Sequence, residues 1–577
     1  MLGSLAAWLD RLPAAGLAAL FCVAFVGITW LGILLVHPLM RRLLHGEHPS
    51  NEVIASISGG FGLLYAVLLG LLAVATFQNT KDVEDDVGSE ASSLSAIYRN
   101  VGGYPEPARS ELKFLLRDYT HYVIEKDWPA HRAGRVLAGG EHRLQVIRQT
   151  LLSFEPATQA QENLQNELLR ELNSLTAARE RRLAAVTATI PSVLWYVVVV
   201  GALISIAFLW MLYMELAHQL LLGGITGLFL GIMIFVIYAM DHPLRGAVSI
   251  APAPFKSVYN LVMRWDALQS DVPPGRPAQQ DQAFASIGTG ELNGVYYSVG
   301  RALCQVVNRE LLSSGVRCSA EATPGSAYNI EGLRSGELEF GIVQADVQFM
   351  AFNGQGMWAG RRFSDLRSVF SLHRELATLV VRSDSGIAAI ADLAGKRVNI
   401  GSPGSGTRAT WDTIAAALDW RGRMQIHPSE LTPDATTRAL CSKVIDANFL
   451  MVGYPSPLVG SQLAACPTKL VPITGDIVDK IIAAHPYYRR YAIPAEVYAM
   501  GDAVPTFGSN ATLVTTAAVP PRVVHAIAAA VLANLNELRS LHPALAHLDE
   551  DEMTTAGLTA PLHAGAEQAY RQVAVIK

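Results

Sequence analysis

Ile287–Gly300 reads IGTGELNGVYYSVG, and a second glycine-rich turn, Gly401–Thr407, reads GSPGSGT. Each follows an apolar run and opens a helical pattern. Each therefore aims free backbone N–H groups at the space in front of a helix N-terminus, where unpaired donors and the positive end of the helix dipole favour an anion. Two such turns on one chain predict two lobes gripping one small, carboxylated ligand. Working outward from them, short β-rich runs alternate with helical patterns from Ala283 to the end of the chain. Strands are expected at Ala283–Ile287, Val316–Ala322, Glu339–Val343, Ala377–Val381, Arg397–Ile400, Phe449–Val452 and Leu470–Ile473, an α/β pattern.

The first half is different. A hydrophobic fraction of 51%, charged residues at 16% and a mean hydropathy of +0.27 are too apolar for an ordinary soluble protein. The excess is concentrated in four runs long enough to cross a bilayer, Ala14–Val36, Ile54–Phe77, Ile190–Tyr213 and Leu220–Met240. The first is too long for a signal-peptide core and is followed by a second, so it reads as a retained span. Between the second and third spans the sequence stays helical. A Gly-Gly-Tyr-Pro-Glu-Pro break at Gly102–Pro107 separates one helix from a next, Arg109–Trp128. A long pattern then runs from His142 towards Pro191, interrupted near Glu155–Pro156, with Leu144, Ile147, Leu151, Leu164, Leu168, Leu172 and Leu175 as its apolar stripe. The expected organisation is an all-α four-span membrane domain over 1–269, with helices extending beyond the bilayer. A Pro-rich linker follows at 270–282, preceded by a short amphipathic piece at Ser257–Leu268, and then an α/β domain over 283–577.

Cys22 lies in a span; the other four cysteines form two locally spaced pairs, Cys304/Cys318 and Cys441/Cys466. Disulfides in an oxidising compartment fit this even count, against the alternative of four unpaired core thiols. Four spans put the N-terminus, the 80–189 segment and the C-terminal domain on one side. Arg41 and Arg42 in the first connection, against Arg11 before the first span, favour a cytoplasmic connection. The large parts are therefore expected outside the cytoplasm, on a bacterial plasma membrane. The net charge of −5 gives no reason to invoke nucleic acid. With no C-x-x-C, H-E-x-x-H, G-x-S-x-G or Walker-type loop, neither metal, cofactor nor catalysis is expected.

Four blocks, Gly288–Gly290 with Gly294–Tyr297 (GVYY), Gly325–Asn329 (GSAYN), Leu338–Asp346 (LEFGIVQAD) and Lys396–Arg408 (KRVNIGSPGSGTR), resemble the TAXI family of extracytoplasmic solute receptors that serve TRAP transporters. The resemblance implies a two-lobed periplasmic-binding fold (type II-like) closing on a small carboxylate such as a glutamate-like or 2-oxo acid. The candidate ligand contacts are Gly290, Gly294, Tyr297, Gly325, Ser326, Asn329, Gln344, Ser402, Gly404, Ser405, Gly406, Thr407, Arg408, Tyr454 and Pro455. Among these, Thr407 is expected near a helix N-cap and Arg408 as charge partner. Of Tyr296 and Tyr297, one is expected to turn to the cleft, with Tyr297 preferred. Asn329 reads alternatively as a helix-surface residue, and Tyr454–Pro455 as a structural turn.

Tyr65–Gly70, Glu90–Ala91, Leu94–Arg99, Asp241–Gly246 and Pro252–Phe255 resemble the bestrophin-like DUF4239 family. That resemblance implies a homo-oligomer, pentameric by analogy, with the second span lining an axial pore. Leu63, Val67 and Leu71 would then line the path. Gln78, Asp82, Glu84, Asp85 and Asp86 would ring its mouth; the plainer reading of the acidic run is a solvated helix face. The glycines Gly59, Gly60, Gly62 and Gly70 read by default as helix-packing residues. Three functions are open: a receptor whose outer domain gates an ion channel in the lipid bilayer, a tethered receptor that delivers its ligand to a separate TRAP permease, or a non-conducting sensor that signals to a partner.

Overall fold

The computed structural model describes residues 12–43, 49–212, 214–246, 248–263, 283–417 and 425–576. The chain divides into two compact units, Met1–Gly275 and Arg276–Lys577. The expected linker at 270–282 lies outside the described residues, as does Arg11.

In the first unit, four helices are long and apolar enough to cross a membrane: α1 (Ala14–Leu43), α2 (Pro49–Asn100), α7 (Ser192–Met211) and α8 (Leu216–Asp241). Their shared core holds Tyr65, Leu69 and Leu72 of α2, Val198, Ala202 and Ile206 of α7, and Leu230, Ile234 and Ile237 of α8. The Tyr65 hydroxyl donates to the Val198 carbonyl at 2.7 Å, fastening α2 to α7. Small residues set the closest approach: a Cβ at Gly231 of α8 would stand 2.8 Å from Cα of Cys22 in α1. The α2 glycines are not used this way. A Cβ at Gly59, Gly60, Gly62 or Gly70 would meet nothing within 4 Å, so the packing expected of them is not made within this chain.

Beyond the apolar stretch, α2 continues into a helical layer with α3 (Ala108–Tyr122), a π-helical turn (Val123–Asp127), α4 (Trp128–Arg132), α5 (Gly139–Ser153) and α6 (Gln159–Thr187). The break at Gly102–Pro107 and the interruption near Pro156 appear as expected. The leucine stripe is divided between α5 and α6, with all its members buried except half-buried Leu164. The centre of this layer is charged. Arg182 grips Glu90 with two hydrogen bonds, Nε to Oε2 at 2.6 Å and Nη2 to Oε1 at 2.9 Å, and both side chains are fully buried. Tyr119 donates to the same carboxylate at 2.7 Å. Asp127 stands 3.6 Å from Arg182, and neither of its oxygens accepts a hydrogen bond from the described residues.

The second unit is a two-lobed α/β domain built on one ten-stranded sheet, order β2-β1-β3-β10-β4-β7-β5-β6, with β8 beside β4 and β9 beside β10. The first lobe contains β1 (Ala283–Gly288), α10 (Val295–Arg309), β2 (Val316–Glu321), α11 (Ser326–Ser335), β3 (Phe340–Gln344) and α12 (Ala345–Asn353). The second contains β5 (Arg397–Asn399), α13 (Gly406–Ala417), β6 (His427–Ser429), α14 (Pro433–Cys441), β7 (Ala447–Gly453), α15 (Pro457–Ala465), β8 (Thr468–Val471), α16 (Asp476–Ala484) and β9 (Arg489–Ile493). Two long antiparallel strands, β4 (Leu366–Arg382) and β10 (Val504–Thr516), run through both lobes. The chain then returns to the first lobe, where α17 (Pro521–Ala533) packs against α10 and β4.

All seven expected strands are present, with β4 reaching eleven residues further towards the N-terminus than expected; β6, β9 and β10 were not anticipated. Separate apolar cores support the lobes, one around Val299, Leu303, Phe370 and Leu513, the other around Trp411, Phe449, Ile481 and Phe507. Both expected cysteine pairs are disulfides. Cys304–Cys318 ties α10 to β2, and Cys441–Cys466 closes the segment carrying Tyr454–Pro455, whose peptide bond is cis.

Candidate functional site

A cleft of roughly 120 Å3 lies between the lobes of the second unit. Five helices begin at it, each contributing residues of its first turn or cap to the lining: Gly294 and Tyr296 for α10, Gly325 and Ser326 for α11, Ser405 to Thr407 for α13, Pro433 and Thr436 for α14, Ser456 and Leu458 for α15. The N-terminal turns of five helices thus border one space. Leu431, Leu450, Met451 and Val452 supply an apolar wall. No Lys, Arg or His is among the lining residues described.

Local chemistry explains how the loops are held. Ser405 Oγ caps α13 by accepting from Arg408 N at 3.2 Å while donating to the Ser402 carbonyl at 2.7 Å. Thr407 Oγ1 accepts from Met451 N at 3.1 Å, which pins the turn to β7. From the first lobe, Ala327 N in the opening turn of α11 donates to the Gly404 carbonyl at 3.2 Å, so the start of α11 touches the Gly401–Thr407 turn directly. Gly325 has φ of +119°, a backbone conformation open to glycine and strained for other residues. Gln344, 1% exposed, has its Oε1 in the cleft without a hydrogen-bond partner, and this is a buried polar atom aimed at the space in front of α13.

Of the candidate contacts, Gly290, Gly294, Gly325, Ser326, Gln344, Ser402, Ser405, Gly406 and Thr407 are brought together here. Gly404 takes part through its carbonyl, as an interlobe contact. The others are placed elsewhere. Arg408 turns outward, where Asp412 one helical turn on and Glu430 neutralise it, so the expected charge partner does not line the cleft. Tyr297 is buried under the Arg301 guanidinium, and its neighbour Tyr296 takes the lining position instead. Asn329 is neither a surface residue nor a lining one. Fully buried, it accepts from Thr323 and donates to the carbonyls of Thr289 and Ile342, bracing the first-lobe loop from behind. Tyr454 borders a different, smaller cavity with Arg374 and Glu552, and Pro455 borders neither.

Other lining groups were not among the candidate contacts, although the first of them, Asn399, lies within the Lys396–Arg408 block. Asn399 starts a buried amide chain, donating to Asn448, which donates to Gln462, which donates to Thr436; Asn399 Oδ1 accepts from Leu431 N at 2.8 Å. Glu375, on the long strand β4, accepts from the Tyr296 hydroxyl at 2.6 Å. Burial lifts its carboxyl to about 8. Its only trace in the sequence is an acidic residue just ahead of the expected strand Ala377–Val381.

In the first unit, Leu63, Val67 and Leu71 lie on an exposed stripe of α2, spaced by whole turns with Val74, Gln78, Lys81, Asp82 and Asp85. Gln78 donates to Asp82 at 3.3 Å. Glu84 pairs with Lys81, and Asp86 pairs with Arg181 of α6 at 2.6 Å, so only Asp82 and Asp85 of the acidic run have no ion-pair partner among the described residues.

Residues 287–573 match the model of the NMT1-like family, and residues 23–255 match that of the Bestrophin-like domain. Among solved structures, the alkanesulfonate-binding protein SsuA from Xanthomonas axonopodis pv. citri bound to MOPS is 16% identical, covering 52% of this chain and 93% of that one, with a TM-score of 0.31. MatC from Rhodopseudomonas palustris with bound malate is 14% identical, covering 51% and 97%, with a TM-score of 0.34. The chain is thus similar to bestrophin-like domains across its four apolar helices and to NMT1-like proteins across its two-lobed domain.

Proposed function

We propose that this is a membrane-embedded receptor whose two-lobed domain closes on a small carboxylate outside the cytoplasm and changes the state of a bestrophin-like ion-conducting oligomer. The observation that carries the ligand class is the meeting of five helix N-termini at a cleft with no cation among its described lining residues. Aligned backbone donors hold an anion without a fixed counter-charge, and the apolar wall accepts a short carbon chain. Because each lobe contributes part of the donor set, the ligand favours the closed arrangement by its differential affinity. The TAXI-type motifs of the glycine loops agree with this class. The unpartnered face of α2 supports assembly around that helix.

The test is ion flux through liposomes that contain only the full-length protein, with and without 2-oxoglutarate and pyruvate. Carboxylate-dependent flux is the expected result. Binding without flux under any of these conditions would eliminate gating and leave a tethered receptor serving a separate permease.

A further inference from the structure

Glu375 occupies a singular place in the second unit. It is the residue at which β4 passes from one partner to another, facing Ser509 of β10 on one side and Gly453 of β7 on the other. Its side chain is 3% exposed, yet it lines the cleft. The groups around it supply no positive charge. From α10 comes Tyr296, held neutral by burial; from α12 comes Asp346, buried and bound by Thr410 and Tyr488. From its own strand comes His373, whose ring packs on Tyr296 and is kept neutral by burial. Glu291 borders the same cleft from the loop before α10. The facing residues of β10 and β7 are uncharged.

An ionised carboxylate at this point would be buried and without a cation, which is the arrangement that proteins avoid by retaining the proton. Burial, with Asp346 nearby, does raise the group to about 8. Tyr296 donates to Oε2, which leaves Oε1 to carry the proton. Glu375 is then a neutral donor on the wall of an anion cleft.

We propose that Glu375, as a carboxylic acid, donates a hydrogen bond to an acceptor oxygen of the bound carboxylate, so that the cleft selects 2-oxo acids over the corresponding amino acids and binds them together with a retained proton. This rests on the carboxylate reading above. An ammonium group would bring a second donor against the one that protonated Glu375 already presents, and the other acidic residue of the lining, Glu291, belongs to the loop before α10 and not to the β4 wall. Binding favours protonated Glu375, so affinity is constant below the pKa of the free site and falls as pH rises through it.

Calorimetry on the full-length protein in detergent tests this with two matched pairs, pyruvate with L-alanine and 2-oxoglutarate with L-glutamate, from pH 6 to 9.5. The oxo acid of at least one pair should bind tighter than its amino partner. Its affinity should fall by about tenfold per pH unit above 8, the slope of one linked proton. Glu375→Gln keeps a donor that does not titrate, so whatever affinity it retains should be the same at about pH 7 and about pH 9.5. Tyr296→Phe removes a donor to the ionised form and should move the onset of the fall to higher pH. Amino-acid preference with binding lost in Glu375→Gln would overturn the proposal, as would a flat wild-type profile across the range. If the wild type binds none of the four, the carboxylate reading itself fails, and this proposal with it.

Discussion

Gly406 and Gln344 meet across the cleft so closely that a Cβ on the glycine would stand 1.5 Å from Oε1 of the glutamine. One opens α13 in the second lobe and the other ends β3 in the first. Closure of the lobes therefore depends on a missing methyl group. Gly406→Ala should weaken carboxylate binding by about tenfold or more, the lower range for overpacking a fitted contact. Trimming the opposing side chain as well, in the Gly406→Ala/Gln344→Ala double variant, should recover part of the loss. Calorimetry on the two variants measures the coupling; equal affinities for Gly406→Ala and wild type would refute the contact.

Arg408 is the residue whose motif most invites a ligand role, and its geometry denies one. Its guanidinium is held by Asp412 and Glu430 on the outer face. Arg408→Ala should leave affinity within about twofold and cost less than about 1 kcal/mol of stability, as exposed ion pairs do. Asn399→Ala, which severs the buried amide chain beneath the cleft, should cost about 1–3 kcal/mol by leaving Asn448 and Leu431 N unpaired. Thermal melts of the two variants separate the cases.

Asp127 makes the helical layer of the first unit sensitive to pH. Burial raises its carboxyl to about 6, above its ordinary value of 3.8, despite Arg182 nearby. A folded-state pKa raised in this way contributes stability below pH 4 that is lost as pH rises towards 6, because the unfolded chain ionises first. Asp127→Asn should consequently raise the melting temperature at pH 7.5, by the equivalent of about 3 kcal/mol at most, and converge with wild type near pH 4. A destabilised Asp127→Asn at pH 7.5 would show that the ionised form is the one the fold requires.

The acidic run on α2 bears on ion selectivity if the protein conducts around that helix. Charges that are singly screened combine when repeated about an axis. The joint replacement Asp82→Asn, Glu84→Gln, Asp85→Asn and Asp86→Asn should shift the reversal potential towards anions. Asp82 and Asp85 alone should reproduce most of the shift, since Glu84 and Asp86 are already paired. An unchanged reversal potential in a conducting protein would mark the run as a solvated helix face.

What could be read from the sequence was whatever repeats locally. Apolar runs located all four long helices, and glycine before a helical pattern located both cleft loops. The two strands that join the lobes were harder. VPTFGSNATLVTT in β10 carries Pro, Gly and small polar residues, and β4 carries His373, Arg374 and Glu375 in mid-strand. Neither alternates cleanly, because both are covered on two faces and change partners along their length. The Tyr296/Tyr297 choice fell the wrong way for a similar reason. Both tyrosines are buried, and only the position of Glu375, 79 residues further on, decides which one lines the cleft. Arg408 misled because one of its two neutralising partners, Glu430, is 22 residues away in sequence, although the other, Asp412, lies one helical turn on.

Strands β4 and β10 also set the order in which this molecule can be made. The second lobe is an insertion between them, and the first lobe lacks β10 until the whole second lobe has been synthesised. Until then β3 has no partner on the side that β10 will occupy. A newborn chain thus holds an open sheet edge, a surface prone to mispairing, while more than a hundred further residues are synthesised. Neither lobe can be produced by simple truncation, and a premature stop anywhere before Val504 leaves both unfinished.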